Sequence, residues 1–172
     1  MKIALISGVF FPQPGGAQVQ SHNFANKLVE KNYDVHCYIF RKTNIQNNEY
    51  KIIKINYFVL STVYFFLYYL SLDLSFLLNY WTKKIIKNNY KVWHFNFINF
   101  KSLILINSLK KFNQKIIVTF QGVDLQLHPE IKYGYRLDKK YDNYLKNTLN
   151  KVDNFIAISK NIKNDLFNLN IE

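Results

Sequence analysis

Six short apolar segments of strand type alternate along this chain with longer segments of helical spacing. The strand candidates are Lys2–Ser7, Tyr33–Phe40, Ile52–Asn56, Lys91–Phe97, Lys115–Gln121 and Val152–Ser159. Continuous apolar strands that alternate with helices are typical of a parallel sheet buried on both faces. We therefore predict an α/β fold, with a parallel sheet and helices on both of its faces.

The first and last helix candidates carry recognisable ends. Ala17–Lys31 is followed by Asn32, which tolerates the left-handed conformation that often ends a helix. The last helix follows Ser159, whose hydroxyl suits an N-cap. Each helix has one apolar stripe, formed by Phe24, Ala25, Leu28 and Val29 in the first and by Ile162, Leu166 and Leu169 in the last.

Composition allows one ordinary domain with a real core. The chain has 172 residues, of which 49% are hydrophobic, and a single cysteine, Cys37. One cysteine excludes an internal disulfide and a paired-cysteine zinc site, so we expect a reducing, cytoplasmic location. "MKIALIS" has the pattern of a first strand and not of a signal peptide. The last residues, "NIE", fall where such a fold would enter its next strand, so we expect residues 1–172 to be one half of a longer protein.

The net charge of +12 has two explanations that the sequence leaves open. A positive surface favours an anionic partner, such as phospholipid or a phosphorylated substrate. A coding bias toward lysine and asparagine would raise the charge without any such partner. The lysines are spread along the chain and form no nucleic-acid-binding motif, so we expect no nucleic-acid partner.

The segment Tyr57–Trp81 departs from the alternating pattern because Asp73 is its only charged residue. Its length permits a membrane span, which needs about 20 mostly apolar residues. Buried core helices and a helix lying in a membrane interface are the other two interpretations. Three lysines that follow, Lys83, Lys84 and Lys87, would suit an anionic lipid surface and would equally suit a solvated helix end.

Gly15 and Gly16 account for two of the five glycines and lie between the first strand and the first helix. In doubly wound sheets this turn faces the ligand crevice, and the helix directs its free N–H groups there. A glycine pair lets a phosphate or sugar approach the backbone, although a tight turn alone would also select it. The pair is neither GxGxxG nor a Walker loop, which disfavours a dinucleotide or ATP site.

Polar residues also follow the fourth and fifth strand candidates. "VWHFNF" supplies His94 and Asn96, and "TFQGVD" supplies Gln121, Gly122 and Asp124. Carboxyl ends of parallel strands meet at one edge, so we expect these residues to lie near the glycine pair. A lone strand histidine is more often structural, but the convergence of three strand ends favours a site. The sequence has no metal-ligand spacing and no GxSxG elbow, so metal and hydrolase chemistry lack support.

Taken in order, these motifs resemble the N-terminal half of family-4 glycosyltransferases, whose two Rossmann-like domains face each other across a cleft. The resemblance covers nearly the whole chain and rests on "KIALIS", "PGGAQ", "ANKLVEKNYDVHCYIF", "VWHFNF", "IIVTFQGVDL" and "VDNFIAISKNIKNDL". It implies sugar transfer from a nucleotide-sugar donor with retention of configuration, usually without a bound metal or other cofactor. It also implies that this half binds the acceptor and that a second domain, which is not in this chain, grips the nucleotide.

The resemblance further assigns individual residues. Gly15, Gly16 and Gln18 would lie near the donor phosphate or transferred sugar, with Gln18 where glutamate is common. Acceptor contacts would come from Asn96, Gly122 and Asp124. Catalytic roles fall to His94 and to Gln121, which stands where many members have histidine. Glutamine can hydrogen-bond a sugar hydroxyl but cannot act as a titrating base, so a mechanism needing imidazole there is in doubt.

The expected function is thus the acceptor-binding half of a hexosyltransferase for a cell-surface glycan or lipid-linked acceptor. Peripheral contact with the inner face of the cell membrane is a candidate partner interaction. Two alternatives stay open: a non-catalytic sugar- or anionic-lipid-binding module of the same fold, and a basic nucleic-acid binder.

Overall fold

One six-stranded parallel sheet organises the chain, as the sequence predicted. The computed structural model describes residues 1–8, 10, 12, 15–40 and 49–170. All strand pairs are parallel, and the strand order is β3-β2-β1-β4-β5-β6. The strands are β1 (Lys2–Ser7), β2 (Asp34–Ile39), β3 (Lys51–Lys54), β4 (Val92–Asn96), β5 (Ile116–Phe120) and β6 (Asn154–Ala157).

The strand order reverses beside β1, and this reversal positions the site. The chain builds outward from β1 to β2 and β3, then returns to place β4 on the other side of β1. Ile6 pairs with Phe95, and Asn96 pairs with Thr119, so the carboxyl ends of β1, β4 and β5 meet at one edge. Ligand crevices of doubly wound sheets form at such a reversal.

Helices cover both faces of the sheet, also as predicted. One helix packs on one face, against a cluster that includes Ile3, Leu5 and Cys37, and the other five pack on the opposite face, against a cluster that includes Trp93 and Phe95. Burial raises the pKa of the Cys37 thiol, which makes it an inert core residue. The helices are α1 (Gly16–Glu30), α2 (Tyr57–Tyr69), α3 (Ser75–Ile85), α4 (Phe100–Lys110), α5 (Lys139–Leu149) and α6 (Lys160–Asn168).

The predicted helix ends are confirmed. Asn32 has φ 60° directly after α1, and the hydroxyl of Ser159 accepts a 3.3 Å hydrogen bond from the Ile162 amide at the start of α6. Ile162 and Leu166 are buried. The predicted continuation after "NIE" falls on residues 171–172, which lie outside the described residues.

The segment Tyr57–Trp81 forms two helices instead of one. The chain turns between α2 and α3, where Ser71 has φ 56°. Among the described residues no helix is long and apolar enough to cross a membrane, so the membrane-span interpretation is wrong. Leu60, Val63 and Leu78 are fully buried, whereas several aromatic residues on the outer sides of both helices are exposed. The hairpin is therefore core on one side and an apolar surface on the other.

Candidate functional site

The glycine turn at the start of α1 contains one glycine that the backbone requires and one that it does not. Gly15 has φ 147°, which L side chains rarely adopt, and the Gln18 amide lies against the place where its Cβ would be. Gly16 begins α1, and no described atom that could obstruct a Cβ there lies within 4 Å. The second glycine thus leaves open space beside the helix end. Pro14 of the "PGGAQ" motif lies outside the described residues.

A cluster of amides joins α1 to the ends of β4 and β5. Gln121 donates from Nε2 to Oδ1 of Asn96 at 3.0 Å and to Oε1 of Gln20 at 2.5 Å. Asn96 in turn donates from Nδ2 to the Ser21 hydroxyl at 2.6 Å, and that hydroxyl donates to the Ala17 carbonyl. We call Gln20, Ser21, Asn96 and Gln121 the amide cluster. Gln20 is exposed and Gln121 is half-buried, so the cluster reaches solvent at the edge where the strands end.

His94 lies two residues before Asn96 in β4, so the two side chains lie on the same face of the sheet. Only 6% of its surface is exposed, and its Nε2 is 2.7 Å from the Thr119 hydroxyl. The ring of Phe24 meets the imidazole edge to face, with centroids 5.2 Å apart. Burial lowers the pKa of His94 to about 4, so the ring is neutral near pH 7. His94 therefore forms part of the floor beneath the amide cluster.

Asp124 organises the loop after β5. It is fully buried, and its Oδ1 accepts hydrogen bonds from the amides of Gln121 at 3.0 Å and Gly122 at 2.9 Å. Its Oδ2 accepts from the Ile98 amide at 3.3 Å, which ties the β5 loop to the β4 loop. Burial raises the pKa of Asp124 to about 6, although these backbone hydrogen bonds oppose the rise. The carboxylate thus holds Gln121 in place and does not itself reach the open edge.

The backbone after β4 is strained. Phe97 has φ 121°, a conformation that costs a non-glycine residue on the order of 1–3 kcal/mol. Its ring meets Tyr135 edge to face. Strain of this kind persists where the surroundings fix the chain, and here it lies between Asn96 and the loop that Asp124 ties.

The residues predicted for the site therefore lie at three depths below the carboxyl edge of the sheet. Gln121 and Asn96 meet at the edge with the first turns of α1, His94 lies beneath them, and Asp124 lies inside the loop. Sequence reasoning missed Gln20, Ser21 and Thr119. For Gln20 and Ser21, the one signal in the sequence was their position on the helix that follows the glycine pair. Nothing in the sequence distinguished Thr119 from other strand residues.

One basic side chain, Lys27, lines the described part of the groove on the α1 side of the site, and it is ion-paired. An open groove of about 680 Å³ runs along α1, and its one basic side chain, Lys27, is 2.5 Å from the Glu30 carboxylate. The described residues also hold no group of three or more potential metal ligands. On this side, the site offers neutral donors and acceptors to a ligand.

Solved structures with this fold include a sucrose-phosphate synthase and a UDP-GlcNAc 2-epimerase. Sucrose-phosphate synthase from Thermosynechococcus elongatus matches with a TM-score of 0.64 at 14% identity, over 97% of this chain and 44% of that one. UDP-GlcNAc 2-epimerase from Methanocaldococcus jannaschii matches with a TM-score of 0.56 at 16% identity, over 100% of this chain and 43% of that one. The chain thus spans less than half the length of these structures.

Sequence comparison identifies the family. No curated protein sequence matches the chain. The sequence pattern of glycosyltransferase family 4 matches residues 14–172, which include the glycine pair, the amide cluster and the loop that Asp124 holds. The chain therefore belongs to glycosyltransferase family 4.

Proposed function

We propose that this chain is the acceptor-side half of a retaining glycosyltransferase that moves a hexose from a nucleotide-sugar donor to a glycan or lipid-linked acceptor in the cytoplasm. The observation that carries the proposal is the solvent-accessible amide cluster beside Gly16 at the carboxyl edge of the sheet. Amide side chains both donate and accept hydrogen bonds, which suits sugar hydroxyls, and the family makes glycosyl transfer the matching chemistry.

Each site residue then has a role that its surroundings permit. Gly16 leaves room for the donor phosphate or the transferred sugar, and Gly15, with Gln18 folded against it, allows the turn that presents this space. Gln121 hydrogen-bonds a sugar hydroxyl, and Asn96 holds the Gln121 amide in orientation. Gly122, whose φ of 125° disfavours any side chain, allows the turn that follows Gln121. His94 supplies a neutral floor, and Asp124 acts through the loop that it ties.

The reaction needs little proton chemistry from these residues. The bond between the anomeric carbon and the diphosphate oxygen breaks, and the acceptor oxygen forms its bond on the same face. The acceptor proton passes to the departing diphosphate. Catalysis then consists mainly of positioning and of stabilising the charge on the leaving group. This fits a site whose His94 is neutral and whose Gln121 cannot titrate.

In this proposal, a second Rossmann-like domain binds the diphosphate of the nucleotide-sugar donor. A diphosphate needs cations in a water-poor cleft, and the α1 side of this site offers neutral groups beside an ion-paired Lys27. Closure of two domains would also exclude water from the reacting centre. A non-catalytic sugar-binding module of the same fold would keep the amide cluster but need no donor.

Amide chemical shifts of the isotope-labelled chain test the proposed site. Titration with an alkyl glucoside should shift the resonances of Gly16, Gln121 and Gly122, and the Gln121→Ala variant should weaken that response. A matched variant on a distant exposed helix, Asn168→Ala, should respond like the unmodified chain. Shifts confined to other parts of the surface would contradict the assignment of the sugar site to this edge.

We further propose that the α2–α3 hairpin contacts an anionic membrane surface. Its outer side exposes large apolar residues that a folded core would normally bury, including Phe58 at 81%, Phe76 at 62% and Tyr80 at 66%. Phe58, Phe76 and Tyr80 also line a cavity of about 460 Å³ between the two helices. Aromatic residues of this kind insert at the boundary between headgroups and acyl chains.

The charge beside this surface has the sign that anionic lipid requires. Lys83, Lys84 and Lys87 follow Tyr80 and are exposed, and Lys84 Nζ lies 4.7 Å from the centroid of the Tyr80 ring. Juxtamembrane basic residues each contribute about 1 kcal/mol to binding at an anionic surface. Lys84 therefore places positive charge beside the exposed aromatic residues, whereas Lys83 lies toward Phe112, 6.0 Å from the centroid of its ring.

Vesicle co-sedimentation tests the membrane surface. The chain should sediment with phosphatidylcholine vesicles that contain phosphatidylglycerol, and added salt should weaken this binding because it screens the lysines. The double variant Phe58→Ser/Phe76→Ser should lose it, whereas Phe167→Ser, which changes an exposed phenylalanine on α6, should not. Equal binding to pure phosphatidylcholine, or no binding to either, would contradict the proposal.

A further inference from the structure

A second groove opens at the carboxyl edge on the face opposite α1, between α2 and α4. Two cavities of about 330 and 370 Å³ form it, and they share Tyr64, Asn99 and Phe100 as lining residues. Gly8 and Phe40, which follow β1 and β2, line the first cavity, and Asn99 follows β4. The α2–α4 groove therefore lies at the strand-order reversal, where sheets of this class bind ligands.

Aromatic rings form most of the wall of this groove. Tyr64 stacks on Tyr68 with centroids 5.2 Å apart, and it meets Phe100 edge to face at 5.6 Å. Tyr135 lines the far end. Aromatic faces of this kind pack against the apolar side of a sugar ring or against a hydrocarbon chain, and the tyrosine hydroxyls add hydrogen-bonding groups.

Lys101 places a positive charge in the wall of the first cavity. Its Nζ is 2.8 Å from the Tyr57 hydroxyl and 3.1 Å from the Ser61 hydroxyl, and it lies 4.2 Å from the centroid of the Tyr57 ring. Within the described part of the chain, no carboxylate is within 4.0 Å of this ammonium group. Lys110, on the same helix, is by contrast 2.9 Å from Asp153. Among the described residues, those that contact the Lys101 ammonium group are neutral, so an anion can bind there.

The acidic residue of the groove lies at the other end and is already engaged. Asp138 lines the second cavity and accepts a hydrogen bond from the Tyr68 hydroxyl. It also caps α5 by accepting hydrogen bonds from the backbone amides of Lys140 and Tyr141. Lys140 lies near the same end, where its Nζ donates to the Tyr68 carbonyl at 2.6 Å, so that end carries charges of both signs. A bound anion is therefore favoured at the Lys101 end, away from the Asp138 carboxylate.

We propose that the α2–α4 groove binds a phosphate-bearing acceptor, with the phosphate at Lys101 and the adjoining sugar or hydrocarbon against Tyr64 and Phe100. This deepens the proposed function, on which it rests, because it names the class of acceptor. The phosphate can belong to a sugar phosphate in solution or to a lipid phosphate. Tyr57, Ser61, Tyr64 and Tyr68 lie on one face of α2, while Phe58, Phe65 and Tyr69 are exposed on another, so a single helix separates the groove from the apolar surface.

Calorimetric titration of the 172-residue chain with phosphate monoesters tests the groove. The probes are glucose 6-phosphate and n-octyl phosphate, each compared with its uncharged counterpart, glucose or n-octanol. Lys101→Gln should weaken binding of a phosphate probe at least about tenfold, because one charged hydrogen bond is lost, and should leave the uncharged probes unaffected. Preference for one of the two phosphate probes distinguishes the soluble from the lipid source.

The matched control removes a lysine from a similar setting elsewhere. Lys163 lies over the Phe167 ring on α6, and Lys163→Gln should not change phosphate binding. Equal losses in the two variants, or no binding of either phosphate probe to the unmodified chain, would overturn the proposal. So would a loss of uridine diphosphate binding in Lys101→Gln with phosphate-monoester binding retained, because the groove would then serve the donor. These outcomes are measured as phosphate binding that depends on Lys101. They therefore do not depend on whether an alkyl glucoside shifts the Gln121 resonance or on whether the chain transfers sugar.

Discussion

His94 shows how burial alone sets the chemistry of one residue in this site. The imidazole is enclosed by Phe24 and Thr119, and the resulting desolvation lowers its pKa to about 4. A proton-detected NMR titration should therefore show a His94 midpoint near pH 4, below the ordinary histidine pKa of 6.5. A midpoint near the ordinary value would mean that the ring is solvated and able to act as an acid.

Asp124 gives a second residue-scale prediction, with the opposite sign in pH. Burial raises its pKa from 3.8 to about 6, so the folded state holds this proton more tightly than the unfolded state does. The stabilisation is complete below pH 3.8 and is lost as the pH rises through about 6. Relative to Asp124→Asn, the free energy of unfolding of the unmodified chain should fall by about 3 kcal/mol across this window.

Urea denaturation of both proteins at several pH values measures this difference. His94 contributes in the reverse direction, since a lowered histidine pKa costs stability as the pH falls toward 4. That contribution is common to the two proteins and cancels in the comparison. A difference that stays constant, or that grows with pH, would show that the backbone hydrogen bonds to the Asp124 carboxylate outweigh its burial.

Among single residues, the sequence located the site better than it assigned the roles. Asn96 and Gln121 were found because each closes a strand, and the structure places them at the expected edge. His94 was expected at the same edge, but it lies two residues before the end of β4 and is buried beneath that edge. The inward position of Asp124 depends on which way a loop folds, and no local spacing encodes that. Lys101 was missed because its distinction is the absence of a nearby carboxylate, which only the three-dimensional arrangement shows.

At the scale of elements, the end of α1 has a defined hydrogen-bonding pattern. The amide of Tyr33 donates to the Leu28 carbonyl at 3.1 Å and that of Asn32 donates to Val29 at 2.7 Å, which is a Schellman ending with Asn32 left-handed. Asn32→Ala should lower the free energy of unfolding by about 1 kcal/mol, because alanine is strained in this conformation. Asn32→Gly should lower it less or not at all, and equal denaturation midpoints for the two variants would contradict this explanation.

The ends of α1 and α6 could be predicted because asparagine and serine leave a local signature. The break between α2 and α3 could not, since Ser71 adopts φ 56° without a glycine or proline to mark it. Periodicity also failed to show which side of the hairpin is buried, because apolar residues occur all round α2. Packing against α4 decides that side, with Leu60 and Val63 inward and Phe58 outward.

For the whole molecule, strand order links the separate observations. Alternating strands and helices predicted the parallel sheet, but the reversal beside β1 is what brings the glycine turn, the amide cluster and the α2–α4 groove to one edge. The net charge of +12 was ambiguous in the sequence. In the described part of the chain, Lys101 has no carboxylate partner in its groove and Lys84 lies beside the exposed Tyr80, which favours anionic ligands over coding bias alone.

Calorimetry with nucleotide sugars, combined with an assay for transferred sugar, tests most directly whether this chain is the acceptor-side half of the enzyme. The account predicts very weak binding of uridine-, guanosine- and thymidine-diphosphate sugars, weak binding of acceptor-like glycosides or phosphates, and no turnover by the 172-residue chain. The reason is that, among the described residues, the α1 side offers a diphosphate neutral groups and an ion-paired Lys27 in an open groove that water can enter. Tight binding of a nucleotide sugar, or transfer by this chain alone, would contradict the account and place the donor site here.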